Sequence, residues 1–233
     1  FKQMQITNNK QQEISPSKKI TLKDGINVKY IYSACIITST PDLIILHDPW
    51  FTEGIYDGSW FHFPKIENPL ESIGDVDFIY ISHIHPDHYD IDFLKKYFEK
   101  YGTKKILIAN HSPNHLAGKM RADGIEPTIL KDKLTVGNTT IEIVPHKTGS
   151  IFDIDSAIVI KYQSSSNKLH CVVNANDIVF DEGMRSTLVS VANEVDILQM
   201  PMINVLNNQT DSLKFSYSYA RGSNTNNDVL KIH

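Results

Sequence analysis

The 233-residue chain lacks several patterns that define common protein classes. Cysteine occurs only at Cys35 and Cys171, which excludes a disulfide framework and a four-thiolate zinc site. Both cysteines lie inside apolar stretches, so we expect them to be buried free thiols. No apolar run approaches the roughly 18 residues that a membrane-spanning helix requires, so we expect no membrane span.

An excess of positive charge is also lacking. Lys and Arg total 23 against 27 Asp and Glu, which gives a formal net charge of −4 at pH 7. Because non-specific nucleic-acid binding needs the opposite balance, the charge indicates no nucleic-acid partner. Residues 1–14 are polar and lack the apolar segment of a signal peptide, from which we expect a cytoplasmic protein. The chain begins at Phe1, which leaves open a native start further upstream.

The composition is that of an ordinary globular protein, with 41% apolar and 21% charged residues. At about 100–200 residues per domain, the length fits one large domain or two small ones. Neither a linker nor an internal repeat is evident. We therefore predict a single domain over residues 1–233, and leave open whether the native protein extends beyond one or both ends. The oligomeric state is also left open.

Predicted strands and helices alternate at both ends of the chain, around a β-rich centre. Asp90 is the predicted N-cap of a helix that ends at Gly102, and a second helix is predicted from Ser112–Pro113 to Gly124. The other predicted elements are a helix over 181–193 and strands within 26–37, 43–46, 77–82, 105–110, 127–162, 169–174 and 195–201. This alternation favours an α/β layered domain whose sheets are covered by helices.

Histidine is concentrated directly after the apolar strand predicted at 77–82. His83, His85 and His88 fall within six residues, together with Asp87 and a proline that forces a turn. His83 and His85 are two residues apart, so a continuing strand would point both rings the same way. Neutral imidazole and carboxylate are good ligands for zinc and its neighbours. The alternative, a surface turn that is rich in histidine by chance, leaves these imidazoles without a partner.

The stretch His83 to His88 reads H-x-H-x-D-H, and the chain resembles the metallo-β-lactamase superfamily, which carries this signature, along most of its length. The resemblance implies a four-layer αββα sandwich with a binuclear metal site at one edge. It also implies that His83 and His85 bind the first metal, and that Asp87 and His88 bind the second. One or two Zn²⁺ ions are expected, with Mn²⁺ or Fe as alternatives.

Three residues outside the 83–88 segment match the rest of the superfamily pattern. The resemblance implies that His146, in IEIVPHKTGS, is a further ligand and that Asp177, in LHCVVNAND, bridges the metals. It implies that Asp48, in IILHDPW, orients a ligand. A lone loop histidine and a helix-capping Asp are the alternatives for positions 146 and 177. Asn176 stands where the superfamily usually has Gly, and the final ligand histidine has no counterpart except His233 at the chain end.

An aromatic loop follows the strand that ends at Asp48. Its rings are Trp50, Phe51, Tyr56, Trp60, His62 and Phe63. In the superfamily such a loop overhangs the metals, so we predict that Trp50, Trp60 and His62 contact substrate, and that His111 lines the mouth of the site. Packing of the loop onto its own core is the alternative. The segments ACII, ILHDPWF, GSWFHFP and ISHIHPDH also resemble the branch of CMP-N-acetylneuraminate hydroxylase-like proteins, and the D-P-W loop is similar to that of the N-acylphosphatidylethanolamine phospholipase D branch.

Three functions are consistent with these residues. The first is a hydrolase that uses a metal-bound hydroxide on an ester, amide, lactone or phosphodiester of a small molecule, in surface-polysaccharide or sugar-nucleotide metabolism, with Asp87 orienting the nucleophile. The second is a non-catalytic metal-binding module, which the missing final histidine favours. The third is an iron-containing redox protein. His85 stands where flavodiiron proteins have Glu, and two cysteines do not supply a Rieske motif, so we favour the hydrolase.

Overall fold

The computed structural model describes residues 24–200 and the backbone of two short strands near the C-terminus. The first sheet has six strands, which lie in chain order: β1 (Asn27–Tyr32), β2 (Cys35–Ser39), β3 (Ile44–His47), β4 (Phe78–Tyr80), β5 (Lys105–Ala109) and β6 (Thr128–Leu130). Strands β1 to β3 pair antiparallel, and β3 to β6 pair parallel. The parallel strands therefore end at one common edge.

The second sheet has seven strands among the described residues. In spatial order they are β12 (Ser218–Tyr219), β13 (Leu230–Lys231), β11 (Ile197–Gln199), β10 (Leu169–Asn174), β9 (Ser156–Gln163), β8 (Thr139–Pro145) and β7 (Leu134–Val136). Only the β10–β11 pair is parallel. The helical segments are α1 (Ile55–Gly58), α2 (Pro69–Ile73), α3 (Ile91–Tyr101), α4 (His115–Ala122) and α5 (Glu182–Ala192). Each of these helices is too short or too polar to cross a lipid bilayer.

Three apolar clusters separate the layers. Between the sheets, Ile45, Tyr80 and Leu107 pack against Ile141 and Ile158. The outer face of the first sheet packs on α3 and α4, and the outer face of the second sheet packs on α5. Because the central strands are covered on both faces, they read as continuous apolar runs in the sequence. The predicted α/β fold, an αββα four-layer sandwich, is confirmed.

Local sequence signals place most helix ends where they were predicted. The Asp90 side chain accepts a hydrogen bond from the Phe93 N–H at the start of α3, and Gly102 is the C-cap of this helix. Helix α4 starts later than the predicted Ser112–Pro113, because the Asn114 side chain caps it by accepting the Ala117 N–H at 3.0 Å. The strand β7 was not predicted as a separate element. The single domain over 1–233 stays a prediction.

The two cysteines are buried free thiols, as predicted. Cys35 lies in the cluster between the first sheet and its helices, and Cys171 in the cluster beneath α5. Burial raises the pKa of both thiols, that of Cys171 to about 12. Neither thiol is therefore available as a thiolate ligand at neutral pH.

The β7–β8 hairpin of the second sheet is hydrogen-bonded to the turn between β2 and β3 of the first sheet. The Asp42 carboxylate, between β2 and β3, accepts the Asn138 N–H and the Thr139 hydroxyl of the β7–β8 hairpin, both at 2.8 Å. Thr40 and Thr139 also share a hydrogen bond of 2.8 Å between their hydroxyls. Gly137 has a φ of +56°, and a Cβ there would overlap the Asp42 carboxylate. Glycine at this position therefore avoids both a strained backbone and a close approach to the Asp42 carboxylate.

We predict that Gly137→Ala lowers the free energy of unfolding by about 1–3 kcal/mol, because it combines a left-handed backbone with a steric overlap. Denaturant titration measures this change. Gly118→Ala is the matched control, since Gly118 lies in α4 with open space at its Cβ position. That control should raise the stability by about 0.5–1 kcal/mol. Equal stability of the two variants would contradict the role assigned to the Asp42 tie.

Candidate metal centre

The H-x-H-x-D-H segment is a tight turn between β4 and α3. Strand β4 ends at Tyr80, and the turn is closed by the His88 and Tyr89 N–H groups, which donate to the His85 carbonyl at 3.0 and 2.8 Å. This turn brings the rings of His83 and His88 to a centroid separation of 4.0 Å. Both side chains are almost fully buried, so their orientation is fixed by packing.

Five of the six predicted ligands lie together at this edge of the sandwich. His83, His88 and Asp177 each present a donor atom within 4.8 Å of the other two. His88 Nε2 is 3.4 Å from Asp87 Oδ2 and 3.3 Å from Asp177 Oδ2. His85 Nδ1 is 2.8 Å from His83 Nε2. Three imidazoles and two carboxylates therefore face one small region.

The sixth predicted ligand, His146, has a different partner. It follows β8, and its Nε2 lies 3.0 Å from Asp181 Oδ2, the carboxylate that caps α5. Its backbone N–H donates to the Asp155 carbonyl at 2.8 Å. The group of donor atoms around His83 does not include it. Its role as a ligand stays a prediction, and His233, the other candidate for a missing ligand, lies outside the described residues.

Asp48 lies behind the histidines and is fully buried. Its carboxylate accepts the Ser82 N–H at 2.7 Å and the Ser82 hydroxyl at 2.8 Å, and it faces His88 Nδ1 at 3.1 Å. A carboxylate at Nδ1 fixes a proton on that nitrogen and leaves Nε2 as the metal-binding atom. The Nε2 of His88 is the atom that points at Asp87 and Asp177.

The backbone conformation explains why asparagine can stand at position 176, where the superfamily usually has glycine. Asn176 has a φ of +47°, in the left-handed region where glycine is favoured and asparagine is tolerated best among other residues. The residue before the predicted bridging aspartate therefore keeps the backbone conformation that a glycine would give. This turn positions Asp177 after β10, opposite His88.

The carboxylates of the cluster stabilise positive charge on its buried histidines. Burial tends to lower the pKa of His88, but Asp48, Asp177 and Asp87 outweigh burial and raise that pKa well above its ordinary value. Burial and the charge of His88 lower the pKa of His83 to about 3, so this ring is neutral at pH 7. Burial would raise the pKa of Asp87, yet hydrogen bonds from His88 and Tyr56 hold it below its usual range. A neutral imidazole among ionised carboxylates is a donor set that fits zinc and its neighbours.

Sequence comparisons find relatives over part of the chain, and no family model matches it. The chain is 44% identical over 57 residues to a Mycolicibacterium smegmatis protein named for a Rieske 2Fe-2S centre. It is 33% identical over 88 residues to the cytidine monophosphate-N-acetylneuraminic acid hydroxylase of Xenopus laevis. These alignments cover 24% and 36% of this chain, but only 11% and 15% of the two relatives.

Solved structures resemble most of the described fold. The diiron β-hydroxylase CmlA of Streptomyces venezuelae matches 76% of this chain and 34% of its own, with a TM-score of 0.54 and 17% identity. A possible metal-dependent hydrolase of Veillonella parvula matches 74% of this chain and 71% of its own, with a TM-score of 0.54 and 14% identity. The chain has the αββα fold that its resemblance to the metallo-β-lactamase superfamily implies. The resemblance stated from the H-x-H-x-D-H segment is thus confirmed at the level of the fold.

Asp155 adds to the site a carboxylate that was not predicted from the sequence. Asp155 Oδ1 lies 3.8 Å from His83 Nδ1, and its backbone carbonyl lies 3.1 Å from His111 Nε2. Burial, with a contribution from Asp177, raises the pKa of Asp155. The predicted His111 lines a small pocket beside Ser82. The sequence signal for Asp155 was only its position directly before β9, which is weak.

The aromatic loop divides into a packed part and an exposed part. Trp50 and His62 are 4% and 6% exposed, with ring centroids 4.2 Å apart, and His62 Nε2 lies 3.0 Å from the Trp50 carbonyl. In this conformation Trp50 and His62 pack on the core of the protein, which is the alternative to substrate contact. Trp60 is 49% exposed, and Phe61 and Phe63 are more exposed still. Contact of Trp50, Trp60 or His62 with a substrate stays a prediction.

Asp90 and Tyr56 hold this loop beside the cluster of predicted ligands. One Asp90 oxygen accepts the Phe51 and Thr52 N–H groups at 2.9 and 2.7 Å, while the other accepts the Thr52 hydroxyl and caps α3. The Tyr56 hydroxyl donates to Asp87 Oδ1 at 2.6 Å. The loop is thus anchored both at the helix start and at a predicted ligand.

We predict that Asp48→Asn weakens the binding of Zn²⁺ by about 10–100-fold, because the amide no longer holds the His88 ring as a charged acceptor does. Competition with a chromogenic chelator measures the affinity. Asp77→Asn is the matched control, since Asp77 also accepts a backbone N–H, from Ile44 at 2.7 Å, on the residue that precedes β4. Unchanged affinity in Asp48→Asn, or an equal loss in the control, would contradict the orienting role of Asp48.

Proposed function

We propose that the protein is a metal-dependent hydrolase with a binuclear site of the metallo-β-lactamase type. One or two divalent cations, with Zn²⁺ expected and Mn²⁺ or Fe as alternatives, would be held by His83, His85, Asp87, His88, His146 and Asp177. The observation that carries the proposal is the convergence of His83, His88 and Asp177 donor atoms within 4.8 Å. Burial of both imidazoles and the surrounding carboxylates support it, since a dication offsets that negative charge.

The chemistry proposed for the site divides between the cation and the chain. A bound metal supplies Lewis-acid polarisation of the substrate and a water of lowered pKa. Asp48 orients His88, and the Ser82 hydroxyl, 3.0 Å from His83 Nδ1, orients the other buried ring. Asp87 is proposed to orient the attacking water, since its Oδ2 faces the cluster while Oδ1 is bonded to Tyr56.

The substrate is proposed to be a small molecule with an ester, amide, lactone or phosphodiester group. The half-exposed Trp60 lies in the loop that Tyr56 joins to the cluster, which supports stacking on an apolar group, a sugar or a base. The hydroxylases of cytidine monophosphate-N-acetylneuraminic acid among the relatives support a role in sugar-nucleotide or surface-polysaccharide metabolism. A cytoplasmic location is part of the same proposal.

An iron-dependent oxidation is the second candidate. The likeness to a diiron β-hydroxylase and to proteins named as hydroxylases favours it. A Rieske centre needs two cysteines and two histidines on neighbouring loops, whereas Cys35 and Cys171 are buried in different sheets. The non-catalytic module stays an alternative because no final histidine is placed at the site among the described residues. Metal analysis that finds iron and a visible absorption band would favour oxidation.

We predict that the double variant His83→Ala/His85→Ala loses bound metal. Its affinity for Zn²⁺ or Mn²⁺ should fall by more than roughly 100-fold, which is the largest loss expected when a residue that only orients a metal ligand is replaced. Mass-spectrometric metal analysis of purified protein and a panel of ester and phosphodiester substrates measure metal content and turnover. Both should fall together in the variant.

His170→Ala is the matched control, because His170 lies on β10 with Asp196 as its neighbour at 3.8 Å, away from the cluster. It should keep the metal content and the turnover of the wild type. Metal content that is unchanged in the double variant would refute the site. Bound zinc with no turnover on any substrate would favour the binding module instead.

A further inference from the structure

Tyr56, in the aromatic loop, bonds directly to a predicted metal ligand. Its hydroxyl donates to Asp87 Oδ1 at 2.6 Å, and Asp87 is 8% exposed. The other oxygen, Oδ2, lies 3.4 Å from His88 Nε2. The two oxygens of one carboxylate are thus divided between the loop and the ligand cluster. A hydrogen bond on Oδ1 restricts rotation of the carboxylate and keeps Oδ2 directed at the cluster.

The backbone at Tyr56 is held in an unfavourable conformation. Tyr56 has φ 51° and ψ 57°, and Asp57 has φ 56° and ψ 39°, so two consecutive residues other than glycine are left-handed. Such residues cost about 1–3 kcal/mol each and persist where the surrounding structure fixes them. The Gly54 N–H donates to the Trp60 carbonyl at 2.9 Å and closes the turn that presents Tyr56. The turn therefore fixes the backbone that presents the Tyr56 side chain.

Tyr56 also contacts the exposed part of the loop. Its ring lies 5.1 Å from the ring of Trp60 between centroids, and the Trp60 ring lies 6.2 Å from that of Trp50. Trp60 is half-exposed whereas Trp50 is buried. Trp60 therefore lies between the ring that bonds to Asp87 and the buried Trp50.

We propose that Tyr56 is a positioning residue that orients Asp87 toward the metal and holds the Trp60 loop closed over the site. This inference rests on the proposed metal site. It predicts that the metal affinity and the exposure of Trp60 change together when the hydroxyl is removed, although the hydroxyl itself is not a proposed ligand.

Tyr56→Phe tests the proposal, because it removes the hydroxyl and keeps the ring that packs on Trp60. The affinity for Zn²⁺, measured by competition with a chromogenic chelator, should fall about 10-fold. Tyr162→Phe is the matched control, because the Tyr162 hydroxyl also donates to a carboxylate, that of Asp24, at 2.7 Å. Tyr162 lies near the end of β9 and is not a predicted site residue. The control should bind Zn²⁺ as the wild type does.

Acrylamide quenching of tryptophan fluorescence gives a second readout that does not depend on activity. The chain has two tryptophans, and Trp50 is buried, so the accessible fraction reports Trp60. Quenching should increase in Tyr56→Phe and stay unchanged in Tyr162→Phe. A loss that came only from general destabilisation would appear in both variants.

The outcomes separate this inference from the proposed function. If the wild type binds metal and Tyr56→Phe binds it equally tightly, the inference is wrong and the metal site stands. If the affinity falls but Trp60 quenching does not change, the loop-closing part of the inference is wrong. If the wild type binds no metal, the proposed function fails and the role assigned to Tyr56 fails with it.

Discussion

The buried carboxylate of Asp48 is the interaction on which the arrangement of the candidate centre depends. Strands β3 and β4 run parallel in register, with His47 beside Tyr80, and the Asp48 N–H donates to the Tyr80 carbonyl at 2.9 Å. The carboxylate therefore reaches Ser82 and His88, two and eight residues past the end of β4. A buried carboxylate without these donors would be costly, so the ligand turn and the β3 end stabilise each other.

The sandwich brings the remaining carboxylates to the same edge. Tyr80 crosses the core and donates its hydroxyl to the Ser156 carbonyl at 2.8 Å, while the Ser156 hydroxyl donates to the Ser82 carbonyl at 2.8 Å. Asp155 directly precedes Ser156, and Asp177 follows β10 through the left-handed Asn176. The packing of one sheet on the other thus sets the distance between histidines from the first sheet and carboxylates from the second.

The α/β class and the ligands within H-x-H-x-D-H could be predicted from local sequence signals, whereas the four-layer arrangement and Asp177 were implied by the resemblance to the metallo-β-lactamase superfamily. H-x-H-x-D-H lies within six residues, and Asp90 stands at the start of a periodic helix pattern. Asp155 was not predicted as a site residue, and Tyr56 was named only as a ring of the aromatic loop. Their contacts join residues 72 and 31 positions apart, and no local pattern encodes such distances. The exposure of the aromatic loop could not be predicted from the sequence either. Trp50 and Trp60 are the same residue type in the same loop, and tertiary packing buries Trp50 and exposes Trp60.

The proposed function depends on a cation held by His83, His88 and Asp177. Anomalous diffraction from crystals of the wild-type protein grown with added zinc, recorded on both sides of the zinc absorption edge, would locate such an ion. We expect an anomalous peak between His83 Nε2, His88 Nε2 and Asp177 Oδ2. Crystals grown with added zinc that show no peak there, or in which the rings of His83 and His88 point away from each other, would contradict it.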